Sequence, residues 1–376
     1  MKRYPAFDPP EYVEWTADPS VVEEFDARVR GDAARRAVVD AMSEAQLLAL
    51  YEGMVRNRLH DIALKRFVRN GVISKAWLGT GEEATTIGAV HALDRERDVV
   101  SPMIRNAGAC HEMGMSVEAM LHGYLGTRES PSGGMDGHVG DLAHRVLPPI
   151  SPVGDTIPVV AGIGLSFVQR GEDRVVLAWI GDGSTKTAAF HEGINLAAVQ
   201  RVPLIVIVQN NQVALGTRLE QHSAGPLSEW PRMYGIAGMR VDGNNVLDVY
   251  AATRLAVDLC RAGAGPVMLV VDTFRMGGHA THDEREARAT FAAELFEYWG
   301  RRDPIGLFEA WLERRGTERS VLQEIEARVT AEVESAAERA RAKREDMPAP
   351  ESAELEGVSA GVRQPGHAWR LARRDG

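Results

Sequence analysis

The chain has little of what a disulfide-stapled or membrane-spanning protein needs. Cys110 and Cys260 are its only cysteines among 376 residues, with no C-x-x-C pair and no disulfide framework, which agrees with a reducing compartment. Each reads as a small core residue. No apolar run approaches the roughly 18 residues of a membrane span, and the opening "MKRYPAFDPPEYVEW" holds no h-region of a secretory leader. A cytoplasmic protein that does not enter a membrane is expected. Positive charge is in deficit as well: a net charge of −10 and a pI near 5.6 give no overall attraction for nucleic acid or anionic lipid.

What is present organises along the chain. Length alone allows two or three domains, or one large α/β core with extensions. Residues 1–42 are charged and proline-containing without sustained periodicity, and are expected to drape over the core as an N-terminal extension. Ser43 followed by Gln46 is a capping-box pattern, and Leu47, Leu50, Met54, Ile62 and Phe67 then recur at helical spacing, so a long amphipathic helix begins there. The turn-rich stretch "GTRESPSGGMDGHVG" is long enough to be a functional loop. A solvent-facing helix is expected over 317–346, rich in Ala, Glu and Arg, with a weakly ordered tail over 347–376. No second sheet-bearing segment is visible after Gly316.

Between these ends, 175–180, 203–208 and 266–271 are short apolar runs without alternation, the mark of strands buried on both faces of a parallel sheet. The helix-length segments 187–200 and 246–261 stand between or before them, the second after "RVDGNN" supplies a turn and cap. The pattern is a doubly wound α/β fold with a mostly parallel sheet.

In such sheets ligands sit at the carboxyl ends of the strands, and Gly181-Asp182-Gly183 and Asn210-Asn211 both fall there. The glycines allow a tight turn and close approach, the following helix offers amide groups to a phosphate, and Asp182 adds a hard oxygen. Magnesium prefers a few protein oxygens, with the remainder from phosphate and water. Asp182, an Asn211 amide oxygen and a nearby carbonyl would therefore bridge a diphosphate to the protein.

GDG, some thirty residues, then NN resembles the thiamine diphosphate motif. More closely, the chain resembles the α subunit of the decarboxylating component of 2-oxo acid dehydrogenase complexes, over about 47–316. The resemblance is carried in order by "NGVISKAWLGTGEEATTIGAVHAL", "MIRNAGACHEMGMSVEAML", "GGMDGHVG", "SPVGDTIPVVAGIGLS", the GDG-to-NN unit, "RVDGNNVLDVYAAT", "FRMGGHATHDE" and "YWGRRDPI". It implies that 43–316 is the diphosphate-binding half of the thiamine-diphosphate fold. It implies Asp182, Asn211 and the Val213 carbonyl as Mg2+ ligands, with Gly183 and Ser184 at the diphosphate. Ile104, Arg105 and His279 would border its far oxygens, and Ser151 and Val153 would face the aminopyrimidine. His279 and His138 are implied as catalytic, with Trp77 and Lys75 lining the acyl pocket.

The same resemblance implies decarboxylation of a 2-oxo acid, branched-chain or pyruvate, and acyl transfer to lipoamide. Partners would be a β subunit in an α2β2 assembly and a lipoyl-bearing acyltransferase. An acetoin dehydrogenase α subunit and a catalytically silent binding subunit of the same fold are the alternatives. Departures from the family pattern are specific: "TKTAAFHEG" follows GDG, losing two acids and gaining Lys186, Val213 replaces a common aromatic, and Ile104 replaces the tyrosine before the phosphate arginine. The last removes a diphosphate hydrogen bond and implies lower cofactor affinity. Ala280 stands where regulated members carry a phosphorylated serine. Two other chemistries fit poorly: "VAGIGLSF" lacks G-x-G-x-x-G of a nicotinamide site, and His279 with His282 lacks the H-E-x-x-H spacing of a zinc hydrolase.

Overall fold

The computed structural model describes residues 2–3 and 13–349. Its main sheet has five parallel strands, β1 (Val99–Ser101), β2 (Val176–Gly181), β3 (Leu204–Asn210), β4 (Ala237–Asp242) and β5 (Val267–Asp272), in the order β1-β2-β3-β5-β4. Alternate residues of the three apolar strands serve opposite faces, which is why their sequences show no polar alternation. Leu177, Trp179, Ile205, Ile207, Leu269 and Val271 belong to one core layer, whereas Val176, Ala178, Val206, Val208, Met268 and Val270 belong to the other.

Eight helices matter for the site: α1 (Pro19–Arg30), α2 (Ala33–Asp40), α3 (Glu44–Arg69), α4 (Val117–Leu125), α5 (Thr156–Arg170), α6 (Ala188–Val199), α7 (Val246–Arg261) and α8 (Arg319–Ala342). Helix α7 covers the first face with Val249, Ala252, Ala256 and Val257, and α5 and α6 cover the second with Ile157, Val160, Phe190 and Ile194. The expected capping box opens α3: Ser43 accepts from the Gln46 amide, and the Gln46 side chain accepts from the Ser43 amide. Thr187 caps α6 and Asn245 caps α7, so both connecting helices start where the sequence placed a cap. Cys110 and Cys260 are both buried, and burial pushes each thiol up to about 12, consistent with inert core residues.

Three sequence expectations change in detail. Strand β4 extends through the "RVD" that reads as a turn; it is an edge strand with exposed, mixed residues, so no apolar run announces it. Helix α8 is not solvent-facing all round. Leu322, Ile325, Val329, Val333, Ala336 and Ala340 form a stripe at helical spacing that is buried in one cluster with Leu50, Met54 and Val55 of α3. A charged face hid that stripe in the composition. The stretch before Ser43, which reads as lacking sustained periodicity, contains helices α1 and α2, and they are anchored: Arg28 and Arg35 both pair with the buried Asp248 of α7, the first at 3.0 Å. The weakly ordered tail expected over 347–376 lies outside the described residues from position 350. Among the described residues no helix is long and apolar enough to cross a membrane.

Candidate active site

The carboxyl ends of β1, β2, β3 and β5, with the loops that follow, surround one cavity of about 530 Å3. After β2 the chain enters a tight turn over Asp182–Lys186, which puts Asp182, Gly183 and Ser184 on the cavity wall. A Cβ at Gly183 would stand 2.6 Å from the Ala214 side chain, so only glycine lets the hairpin Val213–Ala214/Thr217–Arg218 close over this turn.

Asp182 is only 1% exposed. Burial raises its pKa, opposed by His222, whose Nε2 lies 3.0 Å from Oδ2. Beyond β3 the paired asparagines divide their work. Asn210 donates across the sheet to Asp272 (2.8 Å), whereas Asn211 donates its Nδ2 to Glu82 Oε1 (3.0 Å). A buried carboxylate acts here as acceptor, so it fixes the amide orientation and leaves the Asn211 oxygen as the free end. Gln209 braces the same Glu82 oxygen at 2.6 Å. A buried carboxylate and an oriented amide oxygen, with Val213 lining the same cavity and carrying a backbone carbonyl, supply the oxygen donor types suited to a hard divalent cation.

Another part of the lining is cationic, and it adjoins the donor set through Glu82, whose Oε2 lies 3.9 Å from Arg105. Arg105 donates to the carbonyls of Leu78 (2.9 Å) and His279 (3.0 Å), and its Nη2 lies 3.4 Å from His279 Nδ1. Arg275 donates to the carbonyls of Leu215 and Gly277. Burial first, and then the charge of Arg105, brings the Arg275 guanidinium down to about 10. Burial, Arg105 and Arg275 together push the His279 imidazole down to about 4. Two buried guanidiniums whose charges oppose each other are what a polyanion would relieve, and the oxygen donors in the same cavity would hold that anion's metal. The residues thus fit a magnesium diphosphate on the chain's own geometry. The His279 loop is held by Asp283, which accepts from the amides of His279 (3.1 Å) and Ala280 (2.8 Å).

His138 lies at the cavity mouth between two oxygens, with Nδ1 2.8 Å from Asp136 Oδ1 and Nε2 2.8 Å from Ser151 Oγ. Asp136 as acceptor keeps the proton on Nδ1, so Nε2 accepts from the serine hydroxyl. Ile104, Ser151 and Val153 also line the cavity, so it gathers all eleven implied cofactor, metal and catalytic residues and Trp77. Lys75 is outside it: it is exposed, its Nζ 5.0 Å from the centre of the Trp77 ring. The sequence reading left Arg275, His222 and Glu82 unassigned. Arg275 and Glu82 fall inside quoted blocks and could have been singled out as charged residues there, whereas no spacing rule joins His222 to Asp182. Lys186, the departure after GDG, lies over the Trp230 ring at 3.9 Å and donates to Ser223 (3.0 Å), clear of the cavity wall.

The family model described as "Dehydrogenase E1 component" matches residues 51–350. The chain is 30% identical to the 2-oxoisovalerate dehydrogenase subunit alpha of Bacillus subtilis (strain 168), over 83% of this chain and 95% of that relative. It is 32% identical to the mitochondrial 2-oxoisovalerate dehydrogenase subunit alpha 1 of Arabidopsis thaliana, over 73% of this chain and 58% of that relative. Identity to the pyruvate dehydrogenase E1 component subunit alpha of Staphylococcus aureus (strain Mu50 / ATCC 700699) is 30%, over 81% and 82%. With the match running from the middle of α3 to the end of the described residues, this chain belongs to the dehydrogenase E1 component family.

Proposed function

We propose that this chain is the α subunit of a thiamine-diphosphate- and Mg2+-dependent 2-oxo acid dehydrogenase that decarboxylates a branched-chain 2-oxo acid or pyruvate and passes the acyl unit to lipoamide. One observation carries the reading: a single cavity brings together an oxygen donor set, Asp182, Asn211 and Val213, and the guanidiniums of Arg105 and Arg275 with His279. When bound, thiamine diphosphate supplies the electron sink for loss of CO2. The chain's own residues position and handle protons. Asp182, Asn211 and the Val213 carbonyl would hold the cation, and Gly183 and Ser184 would bring backbone close to the diphosphate. Arg105 and Arg275 would bind its outer oxygens. Ser151 and Val153 would border the aminopyrimidine, Ile104 would give that region an apolar wall, and Trp77 would bound the space for the acyl group. His279, neutral at pH 7 in the cofactor-free chain, regains basicity beside an anion and becomes the proton donor near the reacting carbonyl. His138, oriented by Asp136 and Ser151, guards the mouth.

The chain is half of a site. Among the described residues lining the cavity, Asp182 is the only carboxylate, and it is committed to the metal. The cofactor's aminopyrimidine needs a second carboxylate, which a β subunit would supply across an interface in an α2β2 assembly. The outer faces of α5 and α6 offer apolar surface to such a partner, with Val159, Val168, Leu196 and Val199 all exposed. A lipoyl-bearing acyltransferase would receive the acyl group. The test measures decarboxylation with an artificial electron acceptor for the α chain, the β chain and the mixture, over pyruvate, 2-oxoisovalerate, 2-oxoisocaproate and acetoin. Activity with a 2-oxo acid only in the mixture supports the reading. Full activity of the α chain alone refutes the split site, and acetoin as sole substrate moves the chain to the sister class.

A further inference from the structure

Away from the cavity, α4 and the turn-rich loop after it bring three side chains of metal-ligating type together. Glu118 and His122 are four residues apart on one face of α4, and Glu129 reaches them from the loop; one ligand atom from each lies within 4.8 Å of the others. His122 is 1% exposed, and its Nε2 makes no hydrogen bond among the described residues, although Glu129 Oε2 is 3.2 Å away and Glu118 Oε1 is 3.8 Å away. Its other nitrogen is engaged: Nδ1 lies 2.6 Å from Thr127 Oγ1, a buried hydroxyl. When the Thr127 oxygen accepts a proton from Nδ1, the Nε2 lone pair is left for a cation beside the two carboxylates, the arrangement that metal-binding histidines adopt.

The carboxylates are also held from outside. Arg339 of α8 bonds Glu118 Oε2 at 2.7 Å, and Lys343 bonds Glu129 Oε1, so each acid presents its remaining oxygen to His122. Tetrahedral nitrogen and oxygen ligands about 2.0–2.2 Å from zinc stand about 3.4 Å from one another. The separations of 3.2 and 3.8 Å to Nε2 bracket that value, and small side-chain rotations would close the rest.

The geometry points to a divalent cation site of the zinc class formed by Glu118, His122 and Glu129, with water in the fourth position. The imidazole ligand favours zinc over the hard cation that suits Asp182 and Asn211. Its occupancy would pin the loop to α4. That loop already approaches so closely that a Cβ at Gly123 would stand 2.0 Å from Val139, and it continues to His138 at the cavity mouth.

The full-length chain carrying Asp182→Ala, stripped with a chelator, is titrated with Zn2+ against a chromophoric competitor, with Mg2+ in excess. One equivalent should bind and raise the melting temperature. Glu129→Gln, a half-exposed change that leaves the core intact, and His122→Asn should each weaken zinc binding tenfold or more, with folding checked by circular dichroism. No zinc binding in the Asp182→Ala chain, or parental affinity in either ligand variant, overturns the site.

Discussion

The two walls of the cavity are built differently. The wall of oxygen donors grows directly from strand ends: Asp182 and Asn211 are 1% and 4% exposed, and Glu82 and Gln209 behind them are equally buried and joined by hydrogen bonds. The histidine wall stands on loops. His138 is held by two polar contacts at the mouth, and His279 by Arg105 and the Asp283 turn. A fixed ligand such as a metal diphosphate suits strand ends, where the sheet itself sets position. Groups that move protons and admit substrate suit loops, whose geometry local bonds define and ligands can retune.

The sharpest way to break this contrast is Asp182→Ala. It removes the one carboxylate on the cavity lining among the described residues, and Mg2+-dependent binding of thiamine diphosphate should disappear by calorimetry while circular dichroism stays native. Unchanged affinity would leave the strand-end wall without its function. His279→Ala acts on the other wall. Cofactor affinity should stay within about tenfold, while turnover of the assembled enzyme falls by roughly 10²- to 10⁴-fold, as for loss of a positioned acid or base. Near-normal turnover would remove His279 from catalysis.

A smaller effect sharpens the electrical side of the comparison. In the cofactor-free chain His279 should titrate near 4, depressed by burial and by Arg105 and Arg275, and inorganic pyrophosphate should move it upward because an anion favours the imidazolium. Its folded value lies below the ordinary histidine value of about 6.5. Its contribution to stability is therefore fully present above pH 6.5 and is lost as pH falls towards 4 through that window. Proton NMR of the imidazole with and without pyrophosphate reads this. A value that ignores pyrophosphate would separate the histidine from the anion site.

How much of this was legible in the sequence follows the same division. Strands β2, β3 and β5 are continuous apolar runs because both faces are buried, and the acid and asparagines fall at their ends, so the rigid wall could be read from pattern. Strand β4 could not, since an edge strand tolerates polar and small residues. Arg275 and His222 reach their partners through folds of the chain that have no characteristic spacing. Lys75 shows the converse: proximity to Trp77 in sequence does not place it inside the cavity.

The hairpin that carries Val213 also has an energetic history. Gln212 just before it and Leu215 in its turn have φ of 70° and 57°, left-handed values that cost a residue with a side chain about 1–2 kcal/mol each. Gln212 donates to the Thr273 carbonyl at 3.0 Å, and Arg275 donates to the Leu215 carbonyl at 3.0 Å. The tension of that small loop is thus restrained by the segment that follows β5, the same segment that leads to His279. The strand-end wall and the loop wall therefore share one strap, so a ligand that draws on Arg275 also pulls on the turn beside Val213.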